Sequence, residues 1–250
     1  FDLNRMAQEQ TRARSQLQER QNSNGAFSWF PGMQDSRYIT QLIITGFGHL
    51  QKLGVTSAEG NPEVNVMVSK ALPYLDRKIL DDYNWLVRRK VDLKKYRSSN
   101  FQVQYLYMRS FFPDMPQTKG TEEAYAYFYG QAEKNWLGYN RYMQGMLSLT
   151  FHRSKNQVAS NKILASLKEN AITHPDKGMY WKDQVQGYYW YNPGIERHAL
   201  LIEAFYEAGG DLGAVEQLKL WLLRNKRTHN WETTRATVAA CNALLATGAD

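Results

Sequence analysis

Hydrophobic positions recur at helical spacing along almost the whole chain, and they mark two kinds of helix. Phe1 to Gln21 is polar, with Leu3, Met6, Ala13 and Leu17 as a thin apolar stripe, which predicts an outer helix. Asn24 to Leu53 is different. An aromatic turn, Asn24-Gly25-Ala26-Phe27-Ser28-Trp29-Phe30-Pro31-Gly32, leads into a helix that is apolar on more than one face. Ile39, Leu42, Ile43, Gly46, Phe47 and Leu50 form its predicted main stripe, with Ile44 on the opposite side. Ser36 can cap it and Gly54 closes it. A helix of this kind belongs inside a large all-α domain.

The alternation continues. Asn61-Pro62-Glu63 opens an amphipathic stretch to about Lys95, through Val64, Met67, Val68, Ala71, Leu72, Leu75, Ile79, Tyr83 and Leu86. Pro73 is expected to kink or interrupt it. Ser98-Ser99-Asn100 caps an apolar helix. Thr121-Glu122-Glu123 opens an outer one reaching about Asn135. Trp136-Leu137-Gly138-Tyr139 turns into an inner helix carrying Tyr142, Met146, Leu149 and Thr150. Ser154 to Asn170 is amphipathic through Val158, Ile163, Leu164 and Leu167. Asn192-Pro193-Gly194 starts an inner helix ending at Gly209. Asp211 to Asn225 is outer, with Val215, Leu218, Leu222 and Leu223, and Thr233 to Thr247 is inner. That makes about ten helices, with little or no sheet, because no stretch sustains period-two alternation between turn signals.

Aromatic turn, cap, apolar helix and glycine recur as a degenerate internal repeat. Alternating outer and inner helices predict an all-α fold, an α/α toroid, in a single domain over residues 1–250; an α-solenoid is the competing architecture. If hairpins alternate, the turns before the inner helices gather at one end. That end would hold Phe27, Trp29, Phe30, Trp136, Tyr139, Trp181, Tyr188, Tyr189, Trp190, Tyr191 and Trp231. Such rings either plug the mouth of the core or form a binding face.

Composition changes this picture little. A chain of 250 residues can bury a full core without staples. The single cysteine, Cys241, excludes an internal disulfide and leaves the redox compartment open. It shares a helical face with Val238 and Leu245, which predicts a buried core thiol rather than a nucleophile. No apolar run of spanning length is present. Much of the net charge of +7 sits between Arg88 and Arg97. It reads either as a phosphate-binding stripe or as the solvated end of a long outer helix. No motif supports nucleic acid.

The five histidines, His49, His152, His174, His198 and His229, stand apart, so no metal motif appears, and no phosphate loop or nucleophile elbow is found. One constellation merits weighing as an enzyme: Asp183, Glu196 and His198, in or near the richest aromatic loop, as a carbohydrate-active α/α-barrel glycosidase or lyase would need. Glu196 and His198 are two residues apart in a first helical turn and point in different directions, and Glu196 also reads simply as a first-turn anion. A protein-interaction module is the third reading. The sequence supplies no assembled nucleophile, base or metal set, so an inactive isolated chain without cofactors is expected.

The segments NGAFSWF, DSRYITQLIITGFGHLQKLG and WLLRNKRTHNWETTRATVAACNALLATG resemble the thioester domain of bacterial α2-macroglobulins. In that family an aromatic turn precedes an inner helix of the toroid. A Trp-x-Thr-Thr-x-x-Thr segment opens the last helix, as Trp231, Thr233, Thr234 and Thr237 do here. The resemblance spans the chain in order, strongest at both ends and weakest between Pro113 and Asn170. It implies a domain of a periplasmic or secreted protease trap, an endopeptidase inhibitor whose partners are the other domains of the parent chain and the target proteases, with no membrane contact by this chain. The aromatic turns would then shield a thioester from water. The family's Cys-x-Glu-Gln motif is absent: Glu9-Gln10 has Ala7, and Glu216-Gln217 has Ala214, where the cysteine would stand. About five outer and five inner helices, against about six of each in a closed toroid, lead to the expectation of a toroid incomplete at its N-terminus.

Overall fold

The computed structural model describes residues 2–54, 62–182, 194–228, 231 and 233–248, with the backbone alone at Leu3, Arg227 and Thr228. Among them, ten α-helices and one short hairpin make the protein mostly helical, in agreement with the all-α expectation. The chain forms two compact units, Phe1–Tyr96 with Phe111–Phe128, and Arg97–Ser110 with Tyr129–Asp250.

The first unit contains α1 (Leu3–Arg20), α2 (Arg37–Lys52), α3 (Pro62–Arg88) and the start of α5 (Glu122–Asn135). The thin stripe on α1 buries little: Met6 is exposed and Leu17 half-buried. In α2 the buried face is turned from the expected stripe. Thr40, Gln41, Ile44, Phe47 and Gly48 face inward, while Leu42, Gly46 and Leu50 are exposed. Two contacts decide this rotation. The Thr40 hydroxyl accepts from the Phe27 amide at 2.9 Å and donates to the Ser36 carbonyl at 2.8 Å. At Gly48 the Phe111 ring fills the place of a side chain, so a Cβ there would stand 2.4 Å from a ring atom. Polar satisfaction and close approach outweigh two leucines.

Helix α3 buries Val64, Met67, Val68, Ala71, Leu72, Leu75, Ile79 and Leu86, as its pattern predicts, whereas Tyr83 of the same stripe is only half-buried. It runs through Pro73 without interruption and stops at Arg88, short of the expected Lys95. Lys90 adopts φ 51°, and the Val91 amide reaches back to the Leu86 carbonyl at 3.0 Å. This 6→1 closure ends the helix, so the cations from Lys90 onward lie beyond it rather than on its last turn.

The second unit contains α4 (Asn100–Arg109), the rest of α5, a 3₁₀ turn (Trp136–Gly138), α6 (Arg141–Arg153), α7 (Gln157–Glu169), the hairpin β1 (Ile172–His174) and β2 (Gly178–Tyr180), α8 (Gly194–Glu207), α9 (Leu212–Thr228) and α10 (Thr234–Ala246). The strands pair antiparallel, His174 opposite Gly178, and β2 packs on α9. Helix α6 packs on α4, α7 and α8, and α8 packs also on α9 and α10. Every residue of α6 from Tyr142 to Phe151, and of α8 from Glu196 to Phe205, is buried. These are inner helices in the sense the sequence predicts. The outer α7 and α9 bury one face, through Ile163, Leu164 and Leu167 and through Val215, Leu218 and Leu222. Val158 and Leu223 point outward instead. Helix α8 ends before Gly210, the left-handed residue, rather than at Gly209.

Cys241 corrects the expectation of a buried thiol: it is exposed. It does share a face with Val238 and Leu245, but that face is outward, at 62% and 65% exposure for the two aliphatics. The register of α10 is set by Ala236, Ala240 and Ala243, whose small side chains let its backbone approach α8. Cys241 is therefore expected to react with a thiol reagent in the native state nearly as fast as a free thiol. Labelling that requires denaturant would contradict the register.

Candidate functional site

In the first unit the candidate site begins at the turn before α2. Ser28 and Asp35 form an isolated antiparallel bridge, and the Ser28 hydroxyl donates to the Met33 carbonyl at 2.9 Å. The Asp35 carboxylate holds the loop together. It accepts from Asn22 Nδ2 at one oxygen and from Asn24 Nδ2 at the other, each at 2.5 Å. Gly25 makes the bend, at φ +88°, and a Cβ there would stand 1.9 Å from the Lys70 carbonyl oxygen. Gly25→Ala is expected to cost at least the 1–3 kcal/mol of a strained left-handed residue, with the clash against α3 added, read as a fall in the urea midpoint. An unchanged midpoint would show that α3 is not seated on this turn.

This geometry divides the predicted aromatics. Phe27 is core, at 2% exposure, whereas Trp29 and Phe30 stand out at 58% and 66%. One face of Trp29 stacks on Tyr38, with ring centroids 5.9 Å apart and an interplanar angle of 26°.

In the second unit, Trp136 is half-buried and Tyr139 buried. Gln144 of α6 gathers this turn through Nε2, donating to the Tyr139 carbonyl at 3.1 Å and, more weakly, to those of Trp136 and Leu137. Burial raises the Tyr139 phenol above its ordinary value, against the neighbouring Ser98 and the Arg97 charge. Trp181 is core and donates from Nε1 to the Leu167 carbonyl at 2.9 Å. Trp231 is half-buried beneath Lys226, whose Nζ lies 4.6 Å from its ring. Phe27, Tyr139 and Trp181 thus serve packing and offer no open face. Tyr188, Tyr189, Trp190 and Tyr191 lie outside the described residues, as do Asp183 and His229.

The enzyme constellation does not assemble among the described residues. His198 is fully buried between Trp181 and Trp221, with ring centroids at 6.2 and 4.2 Å. Its Nε2 donates to the Leu218 carbonyl at 2.9 Å. Burial lowers its pKa from 6.5 to about 3; the Leu218 bond opposes this and the Arg197 charge adds to it. An imidazole held neutral and hydrogen-bonded to backbone is a packing element. Glu196 is buried, with Arg235 Nε 3.8 Å from its carboxylate. Among the described residues no group of three or more His, Cys, Asp or Glu could hold a metal ion, and no helix is long and apolar enough to cross a membrane.

Two polar clusters escaped the sequence pattern. Arg235, in the first turn of α10, donates to the Tyr142 hydroxyl at 3.2 Å and approaches Glu196, so the N-terminal ends of α6, α8 and α10 meet. At their other ends, Arg153 of α6 donates to Glu207 through Nε and Nη2 at 2.8 and 2.7 Å, and to Glu203 at 2.7 Å. Its Nη1 reaches Ser110, which caps α4, at 3.1 Å, and the Tyr107 hydroxyl donates to Glu203 at 3.0 Å. The two clusters fix α6 and α8 parallel. A readable signal existed: Glu203 and Glu207 are four residues apart in the half of α8, from Ala199 onward, that otherwise carries only aliphatic and aromatic residues.

The sequence matches no protein-family profile and no curated protein.

Proposed function

We propose that this chain is a thioester-domain-like α/α toroid serving a bacterial α2-macroglobulin-type protease trap, in a periplasmic or secreted setting. The reading rests on the residue resemblance of the aromatic turns and the Trp231-to-Thr237 segment. The observation that best supports it is the run of α4, α6, α8 and α10. The clusters at Arg235 and Arg153 hold the ends of neighbouring helices together. Neighbouring parallel helices with α7 and α9 packed against them are what a toroid of alternating hairpins requires. In this reading the chain performs no catalysis. Trp29 and Phe30 are its open aromatic face, available to other domains of the parent chain, while Phe27, Tyr139 and Trp181 close the core.

The test is protease challenge of the protein that carries this chain. A trapped protease is expected to keep its activity on a small chromogenic peptide while losing activity on a large protein substrate. Equal loss on both, or on neither, would overturn the proposal.

A further inference from the structure

Beside the aromatic turn, the first unit opens a cleft of about 630 Å³ lined by Met33, Gln34, Asp35, Arg37, Tyr74 and Lys78. A hollow of about 400 Å³ shares Asp35, Tyr74 and Lys78 with it and adds Asn24, Arg77 and Asp81. Tyr74 is the telling residue. It is only 6% exposed, lines both hollows, and its hydroxyl makes no hydrogen bond with any described residue. Burial, with the Asp35 charge and against that of Arg37, raises its pKa, so the hydroxyl stays protonated at neutral pH. The hydroxyl of this largely buried side chain opens on the cleft without a protein partner, so it is free to bond an external group.

The surrounding groups are already held. Asp35 is pinned by Asn22 and Asn24, yet each of its oxygens keeps a lone pair for a second donor. Arg37 is fixed by Gln41 at 2.9 Å and Asp82 at 2.7 Å. Lys78 lies 3.6 Å from Asp81 and 5.5 Å from the Tyr74 ring centroid. Facing the cleft, Lys78 and Arg77 balance Asp35 and Asp81, and Arg37 is balanced by Asp82. Neither an anion nor a cation therefore gains from a net field. What remains is an interleaved set of donors and acceptors, the match for a neutral ligand whose groups both give and accept hydrogen bonds. Trp29 follows Ser28, whose backbone bridges Asp35 of the cleft lining, and one indole face lies on Tyr38. An exposed indole beside polar groups suits a ligand with hydroxyls at its rim and C–H on its faces. A peptide would be served better by a strand edge to extend, and this unit has no strand among its described residues.

We propose that this cleft binds a neutral saccharide, with Tyr74 and Asp35 hydrogen-bonding its hydroxyls and Trp29 stacking on a neighbouring sugar ring. The proposal does not depend on the protease-trap reading. The experiment is titration calorimetry with tryptophan fluorescence, using linear hexasaccharides of glucose (α-1,4 and β-1,4) and of N-acetylglucosamine (β-1,4). At least one is expected to bind with a dissociation constant at or below the millimolar level, where binding free energies are about −4 kcal/mol. Tyr74→Phe deletes one hydrogen-bonding hydroxyl with little change of shape, and Trp29→Ala deletes the platform at an exposed position. Each is expected to weaken binding about tenfold, with unchanged circular dichroism. No binding of any of the three saccharides, binding indifferent to both substitutions, or preferential binding of an acetylated acidic peptide would overturn the proposal.

Discussion

Arg153→Met is expected to destabilise the protein by about 3–5 kcal/mol, as removal of one partner from a buried ion cluster does. The Arg153 side chain is 7% exposed and holds two carboxylates, Glu203 and Glu207, that are themselves largely buried. Burial opposes its charge, but Glu207 and Glu203 more than offset this, and its pKa stands above the ordinary value. Without the guanidinium, two buried carboxylates are left side by side, with the Tyr107 hydroxyl donating to Glu203. They must ionise without a counter-charge or take up protons, and both routes cost stability. For a chain of this size the fall in Tm is roughly 6–20 °C. The control is the triple replacement Arg153→Met, Glu203→Leu and Glu207→Leu, which removes the carboxylates as well. It is expected to recover most of the loss, because a well-packed apolar cluster can equal a buried ionic one. A single variant within about 1 kcal/mol of the parent would show that the cluster is solvated.

The second large effect is acid lability from His198. Its folded pKa, about 3, lies below the unfolded value of 6.5. Between those two values the unfolded chain binds a proton that the folded one refuses. Stability is therefore fully present above about pH 6.5 and falls as pH drops towards 3, by up to about 1.4 kcal/mol per pH unit. The measurement is the unfolding free energy across that window for the parent and for His198→Gln. Carboxylates contribute to both curves, so the informative quantity is the difference in slope. The variant is expected to show a shallower dependence. Parallel curves would mean that His198 is protonated in the native state, and its sandwich between Trp181 and Trp221 would need revision.

Much of the fold is legible in the residues because helical periodicity is a local property. The caps at Ser36, Asn140 and Thr233 stand where their side chains accept from the first-turn amides. The inner character of α6 and α8 follows from apolar residues on every face, which leaves no solvated side. The all-α character and the outer–inner alternation in the second unit were thus determined by the sequence. The direction a partly apolar helix turns was not. In α2, Thr40 and Gly48 set the buried face through contacts with Phe27 and Phe111, residues a helical wheel cannot weigh. In α10, three alanines outrank Val238, Cys241 and Leu245 because the approach of α8 selects small side chains, and hydropathy alone ranks them the other way.

The candidate sites divide in the same manner. Trp29 and Phe30 were visible as an aromatic turn, but only tertiary packing separated them from Phe27, which the Thr40 contact draws inward. The cleft at Tyr74 was invisible. Tyr74 and Lys78 lie on α3, and Asp35 and Arg37 about forty residues earlier in the chain. No spacing rule links them; their association depends on how the Gly25 turn seats against Lys70. His198 shows the converse: a histidine beside a glutamate in an aromatic neighbourhood carries the sequence signature of catalysis. Its neutrality comes from burial between two indole rings, which outweighs the opposing hydrogen bond to the Leu218 carbonyl, a property of the folded environment and not of the residue.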